Sequence, residues 1–193
     1  MKNSLKQPLA ILCIALSCAW AGNASALTKD EYKAGKDRIA ADAKVQKQRC
    51  DGMSGNAKDI CVSEAKGTEK IAKAELEATY KPDAKTRSKV MEAKADAAYD
   101  TAKEKCDDLA GNAKDVCVKD AKAAHVTALG QAKVQKTSDA GNANQSSKVA
   151  DAKNTAKADR RDADYSAAKE RCDSLSGATK DRCITDAKVK YGV

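Results

Sequence analysis

The chain has 193 residues, a formal net charge of +8, 33% charged residues, 3% aromatic residues and no Phe. Its large apolar side chains are too few to fill an ordinary globular core. A lone histidine, His125, excludes histidine-rich metal sites and argues against nucleophilic triads, and the eight cysteines turn attention to sulfur.

The chain opens on an address. Lys2 and Lys6 form a positive n-region, Leu9 to Trp20 an apolar run too short to span a bilayer, and Ala24-Ser25-Ala26 a small-residue cleavage site. Residues 1–26 are therefore expected to be a signal peptide, with a mature chain beginning near Leu27 that carries six cysteines and, without Lys2 and Lys6, a net charge of +6. The alternative is a lipoprotein anchored at Cys18, although Ala15-Leu16-Ser17 is a poor lipobox. Six cysteines in three equal pairs on an exported chain imply an oxidising compartment, most simply a periplasm.

Those pairs define a unit that occurs three times: RCDGMSGNAKDICV from Arg49, KCDDLAGNAKDVCV from Lys105 and RCDSLSGATKDRCI from Arg171. Each unit reads as a helix stop followed by a helix start. Gly55, Gly111 and Gly177 mark the stop, where a left-handed residue closes a helix. Asn56 and Asn112 then serve as N-caps, with Asp59, Asp115 and Asp181 near the new N-terminus, where an acid is favourable; the third copy has Ala178-Thr179 and lacks the Asn. In a continuous helix, eleven residues of rise would hold the sulfurs roughly 16 Å apart, so only a chain reversal brings them together. The expected staples are Cys50–Cys61, Cys106–Cys117 and Cys172–Cys183. Each would contribute roughly 3 kcal/mol in the chain-entropy model.

Around the units, small and apolar residues step at helical seam spacing: Ile39, Ala43, Gln46, Cys50, Met53; Ala95, Tyr99, Ala102, Cys106, Leu109; and Ala158, Arg161, Tyr165, Ala168, Cys172, Leu175. The expected fold is all-α: three antiparallel helical hairpins, each stapled by a disulfide, with coiled-coil-like Ala-rich packing. Hairpin 1 takes residues 27–81, ending at the Tyr80-Lys81-Pro82 break, and hairpin 2 takes 82–136. A polar linker over 137–148 leads to hairpin 3 over 149–193 and accounts for a repeat of 66 residues from Cys106 to Cys172 against 56 from Cys50 to Cys106.

The sequence shows no Gly-rich phosphate loop, no nucleophile elbow and no Cys-x-x-Cys. His125 reads as an ordinary helix residue. Asp51, Asp107, Asp108 and their neighbours lack the order of a calcium loop, so no metal or other cofactor is expected. Lys and Arg alternate with Asp and Glu as on a solvated, ion-paired face. The basic excess keeps anionic envelope polymers, such as lipopolysaccharide or peptidoglycan, or another envelope protein, open as partners. Nucleic acid is disfavoured by the export signal and by the lack of an aromatic platform.

Three resemblances rest on these residues. The paired cysteines are similar to those of twin-cysteine coiled-coil-helix domains, which carry two cysteines per helix where this chain has one. The Ala/Lys/Asp-rich stretches Ala95 to Lys105 and Ala156 to Arg171 resemble the TolA central domain and late-embryogenesis-abundant proteins. The GNAKD-x-Cys unit resembles that of uncharacterised exported proteobacterial proteins often labelled TolA-like, a resemblance that implies a periplasmic, cell-envelope location and carries no established activity with it. The expected function is non-enzymatic, structural or stress-protective. Binding of anionic polymers is the alternative, and thiol-redox or metal buffering a second one.

Overall fold

Thr28 stands in extended backbone and accepts a hydrogen bond from the Glu31 amide, while the Glu31 carboxylate accepts from the Thr28 amide. This reciprocal cap starts α1 (Lys29–Arg49) and satisfies two of the amides that a helix N-terminus leaves free. In the computed structural model, which describes residues 27–141 and 144–193, five further helices follow: α2 (Gly55–Tyr80), α3 (Ala84–Cys106), α4 (Gly111–Asp139), α5 (Gln145–Cys172) and α6 (Gly177–Tyr191). No strand occurs among the described residues, and the fold is the expected all-α one. The expected signal peptide and the Cys18 alternative lie outside the described residues.

The three staples close as the spacing required. Cys50–Cys61, Cys106–Cys117 and Cys172–Cys183 join at Cα separations of 5.7, 5.6 and 5.7 Å, within the range a disulfide allows. Each lies beside a chain reversal. Consecutive helices are antiparallel, so all three stapled turns fall at one end of the row, and Lys81–Asp83 and the end of α4 at Asp139 lie at the other.

Among the described residues, each helix packs only on the helices before and after it in sequence. The hairpins therefore continue into one another as a single row. The contacts between hairpins, α2 on α3 and α4 on α5, run over longer stretches than the terminal stapled pairs α1 on α2 and α5 on α6. Gly67 and Gly130 explain how close these inner helices come. A Cβ on Gly67 would lie 2.8 Å from the Ala97 Cβ, and one on Gly130 would lie 2.9 Å from the Ala156 Cβ.

The core is correspondingly thin. Its buried apolar members are alanines and the first cysteine of each pair, and among the described residues none larger than Cys is fully enclosed. α3 buries Ala93, Ala95 and Ala97, positions that point to both of its neighbours, because an inner helix of a row has two seams where a two-helix heptad supplies one. Met53, Leu109 and Leu175 correct the expected seams. They lie 47, 44 and 39% exposed, because each falls beyond the last helical turn, where the chain leaves the helix and carries the side chain off the seam.

The expected linker over 137–148 is mostly helix. α4 runs on to Asp139 and α5 begins at Gln145. The polar residues there bond back to their own helices: Thr137 Oγ1 donates to the Lys133 carbonyl at 2.8 Å and Gln135 Nε2 to the Asp139 carboxylate at 2.8 Å. Arg87 of α3 also holds Asp139, at 3.0 Å. The longer second repeat goes chiefly into helix, α4 having 29 residues to 26 in α2 and α5 28 to 23 in α3.

Candidate functional site

The residues marked by the repeat come together at the stapled end. After Cys50 the chain makes one 3-10 turn to Gly52, passes through extended Met53 and Ser54, and reaches Gly55 with φ +57°. Gly111 (φ +57°) and Gly177 (φ +56°) repeat this. The left-handed glycine thus opens the second helix instead of closing the first, a position any Cβ would strain.

Asn56 and Asn112 are consequently not N-caps, since the extended residue before each helix is Ser54 or Ala110, neither of which makes a side-chain cap. Asn112 reaches instead across to the next hairpin, Nδ2 donating to the Glu170 carbonyl in the last turn of α5 at 2.9 Å. Asn56 Nδ2 is buried with no hydrogen-bond partner. Ser176 precedes α6 with the same extended geometry although the third copy has no Asn, so the glycine suffices for this turn. Asp59, Asp115 and Asp181 are exposed in the second turns of α2, α4 and α6.

Another acid proves more regular. The residue after the first cysteine pairs with a lysine on the opposing helix in every copy: Asp51 with Lys58 at 3.9 Å, Asp107 with Lys114 at 3.0 Å and Asp173 with Lys180 at 2.8 Å. The Asp and Lys at fixed offsets in all three units were the available signal. At Asp173 the hydrogen bond from Lys180 outweighs desolvation and holds the carboxyl below its ordinary value. These acids therefore serve lysines. Among the described residues, no three His, Cys, Asp or Glu side chains converge as metal ligands would.

Sequence reasoning missed a polar chain through the middle of the row. Lys70 of α2 meets Asp96 Oδ2 of α3 at 2.6 Å, and Asp96 Oδ1 lies 2.7 Å from His125 Nε2 of α4. The imidazole stacks on Tyr99 at 4.7 Å between centroids. Burial pushes the Asp96 carboxyl up, but the hydrogen bonds from Lys70 and His125 prevail and its pKa is lowered. His125 Nδ1 is buried with no hydrogen-bond partner among the described residues. The arrangement ties three helices together. Glu69 of α2 does likewise for the first seam: it accepts from Lys47 of α1 at 2.7 Å and from Lys73 at 2.6 Å, and these bonds lower its pKa.

The sulfurs offer little to solvent on one side, since Cys50, Cys106 and Cys172 are wholly buried and their partners partly so. No helix among the described residues is long and apolar enough to cross a membrane. The chain matches no family model, and neither a curated protein nor a solved structure is similar to it.

Proposed function

We propose that the protein is a non-enzymatic helical scaffold of the cell envelope, exported to the periplasm by residues 1–26 and acting in a structural or stress-protective role. The observation that carries this reading is the thrice-repeated stapled turn: an alanine core too thin for an ordinary domain is reinforced by disulfides that suit an oxidising, exported compartment. The ion-paired seams support the scaffold reading, because they tie neighbouring helices to one another along the row. The TolA-like resemblance of the GNAKD-x-Cys unit belongs to the same proposal.

Cell fractionation combined with a deletion strain tests it. The protein is expected in the envelope fraction, and its loss is expected to reduce survival under drying or osmotic stress, restored by the wild-type gene and not by one lacking all six paired cysteines. A cytosolic protein, or turnover of a substrate by the purified chain, would overturn it.

A further inference from the structure

We propose that the groove between α3, α4 and α5 binds a single-chain anionic amphiphile, a long-chain fatty carboxylate. The groove has a volume of about 390 Å³, within the range of small-ligand sites. It lies in the half of the molecule away from the disulfides. Its apolar surface is Met91 of α3, Val134 of α4 and Ala156 of α5, and the close approach of Gly130 to Ala156 draws α4 and α5 together along it.

The charged side chains that line it are all cations, while Asp120 and Asp164 line the adjoining cleft that shares Arg160. Lys153, Lys157 and Arg160 occupy positions i, i+4 and i+7 of α5 with Ala156 between them, so one helix face carries three cations beside an apolar surface. No carboxylate lines this groove. Two clefts along the α2–α3 seam differ: one brings Asp59, Asp100 and Glu104 against its lysines, and the other Glu77, Glu92 and Asp96. Arg160 also reaches Asp164 at 3.5 Å, but Lys153 and Lys157 have no ion-pair partner among the described residues. Lys47, Lys70, Lys89 and Lys94, by contrast, each hold a carboxylate across a seam. Two unpaired cations next to an apolar channel fit a headgroup of negative charge with a hydrocarbon tail. A chainless polyanion would leave the apolar surface unused.

This inference goes beyond the scaffold reading and does not depend on it. The test uses the purified, oxidised protein and displacement of a fluorescent fatty acid. The competitors are dodecanoate, a neutral maltoside of the same chain length below its micelle concentration, and polyphosphate. Saturable displacement by dodecanoate alone is expected, with affinity falling by about tenfold or more in Lys153→Ala/Lys157→Ala. Both lysines are exposed, so the variant keeps its helicity by circular dichroism. Val134→Asn should weaken binding with the cations intact. Failure of dodecanoate to bind saturably, equal displacement by the maltoside or by polyphosphate, or unchanged affinity in the double variant would overturn the proposal.

Discussion

Gly67 shows how small differences set this structure. In a helix interior glycine costs about 1 kcal/mol relative to alanine, so Gly67→Ala would be stabilising if propensity decided the matter. Contact decides it instead: the new Cβ would lie 2.8 Å from the Ala97 Cβ, and overpacking of this kind costs about 1–3 kcal/mol. Gly67→Ala is expected to lower stability by about 1 kcal/mol net in chemical denaturation, with Ala97→Gly in the same chain recovering part of the loss. Gly52, with nothing within 4 Å of its Cβ position, is the control. An unchanged midpoint for Gly67→Ala would mean that α2 and α3 are less closely held. The two asparagines carry a different lesson. Gly followed by Asn is both a helix stop and a helix cap in local terms, and only the neighbouring hairpin, 58 residues on, reveals that Asn112 serves the Glu170 carbonyl. The cysteines were legible because eleven residues of separation and the geometry of a disulfide admit one local solution; His125 was not, because Asp96 lies 29 residues away in sequence.

At the scale of elements, α6 is the weakest member. It has 15 residues, one neighbour and a single buried side chain, Ala187, and isolated helices of that length are marginal in water. Cys172→Ser/Cys183→Ser should release it, with loss of amide exchange protection confined to α6 and the last turns of α5. The same change at Cys106 and Cys117 should cost about 3 kcal/mol of global stability but leave α3 and α4 protected, since Arg87–Asp139 and His125–Asp96 still join them. Protection retained in α6 without its disulfide would show that its packing on α5 is stronger than Ala187 implies.

The seams also set the response to acid. Asp96 and Glu69 have carboxyls below their ordinary values of 3.8 and 4.5. A carboxyl lowered by folding stabilises the fold fully above its ordinary value, and that contribution disappears as pH falls through the folded value. Thermal midpoints should therefore be nearly level from about pH 7 to 5 and decline below about pH 4. Asp96→Asn should be less stable at neutral pH and show a shallower decline; an identical slope would remove Asp96 from the account. The sequence over 137–148 reads as a linker, although α4 runs on to Asp139 and α5 begins at Gln145, for a related reason. Exposed polar helix and polar loop have the same composition, and what makes Thr137 to Asp139 helical is the antiparallel partner α5 together with the Arg87 contact.

The described helices form a row with two faces that none of them covers. A closed bundle would have given each helix a second or third neighbour and a shared centre to fill; here the alanine core permits only nearest-neighbour seams, so stability is close to a sum of local terms. Individual half-exposed ion pairs add about 0–1 kcal/mol each, and their value lies more in fixing register between helices. That leaves the disulfides as the largest single contributions, and it ties the stability of the fold to an oxidising environment.

The redox state of the six paired cysteines in the cell is therefore the deciding measurement, made by acid-quenched alkylation and peptide mass spectrometry on protein taken directly from cells. The account predicts three closed bridges, Cys50–Cys61, Cys106–Cys117 and Cys172–Cys183. Free thiols, or bridges between different hairpins, would contradict it.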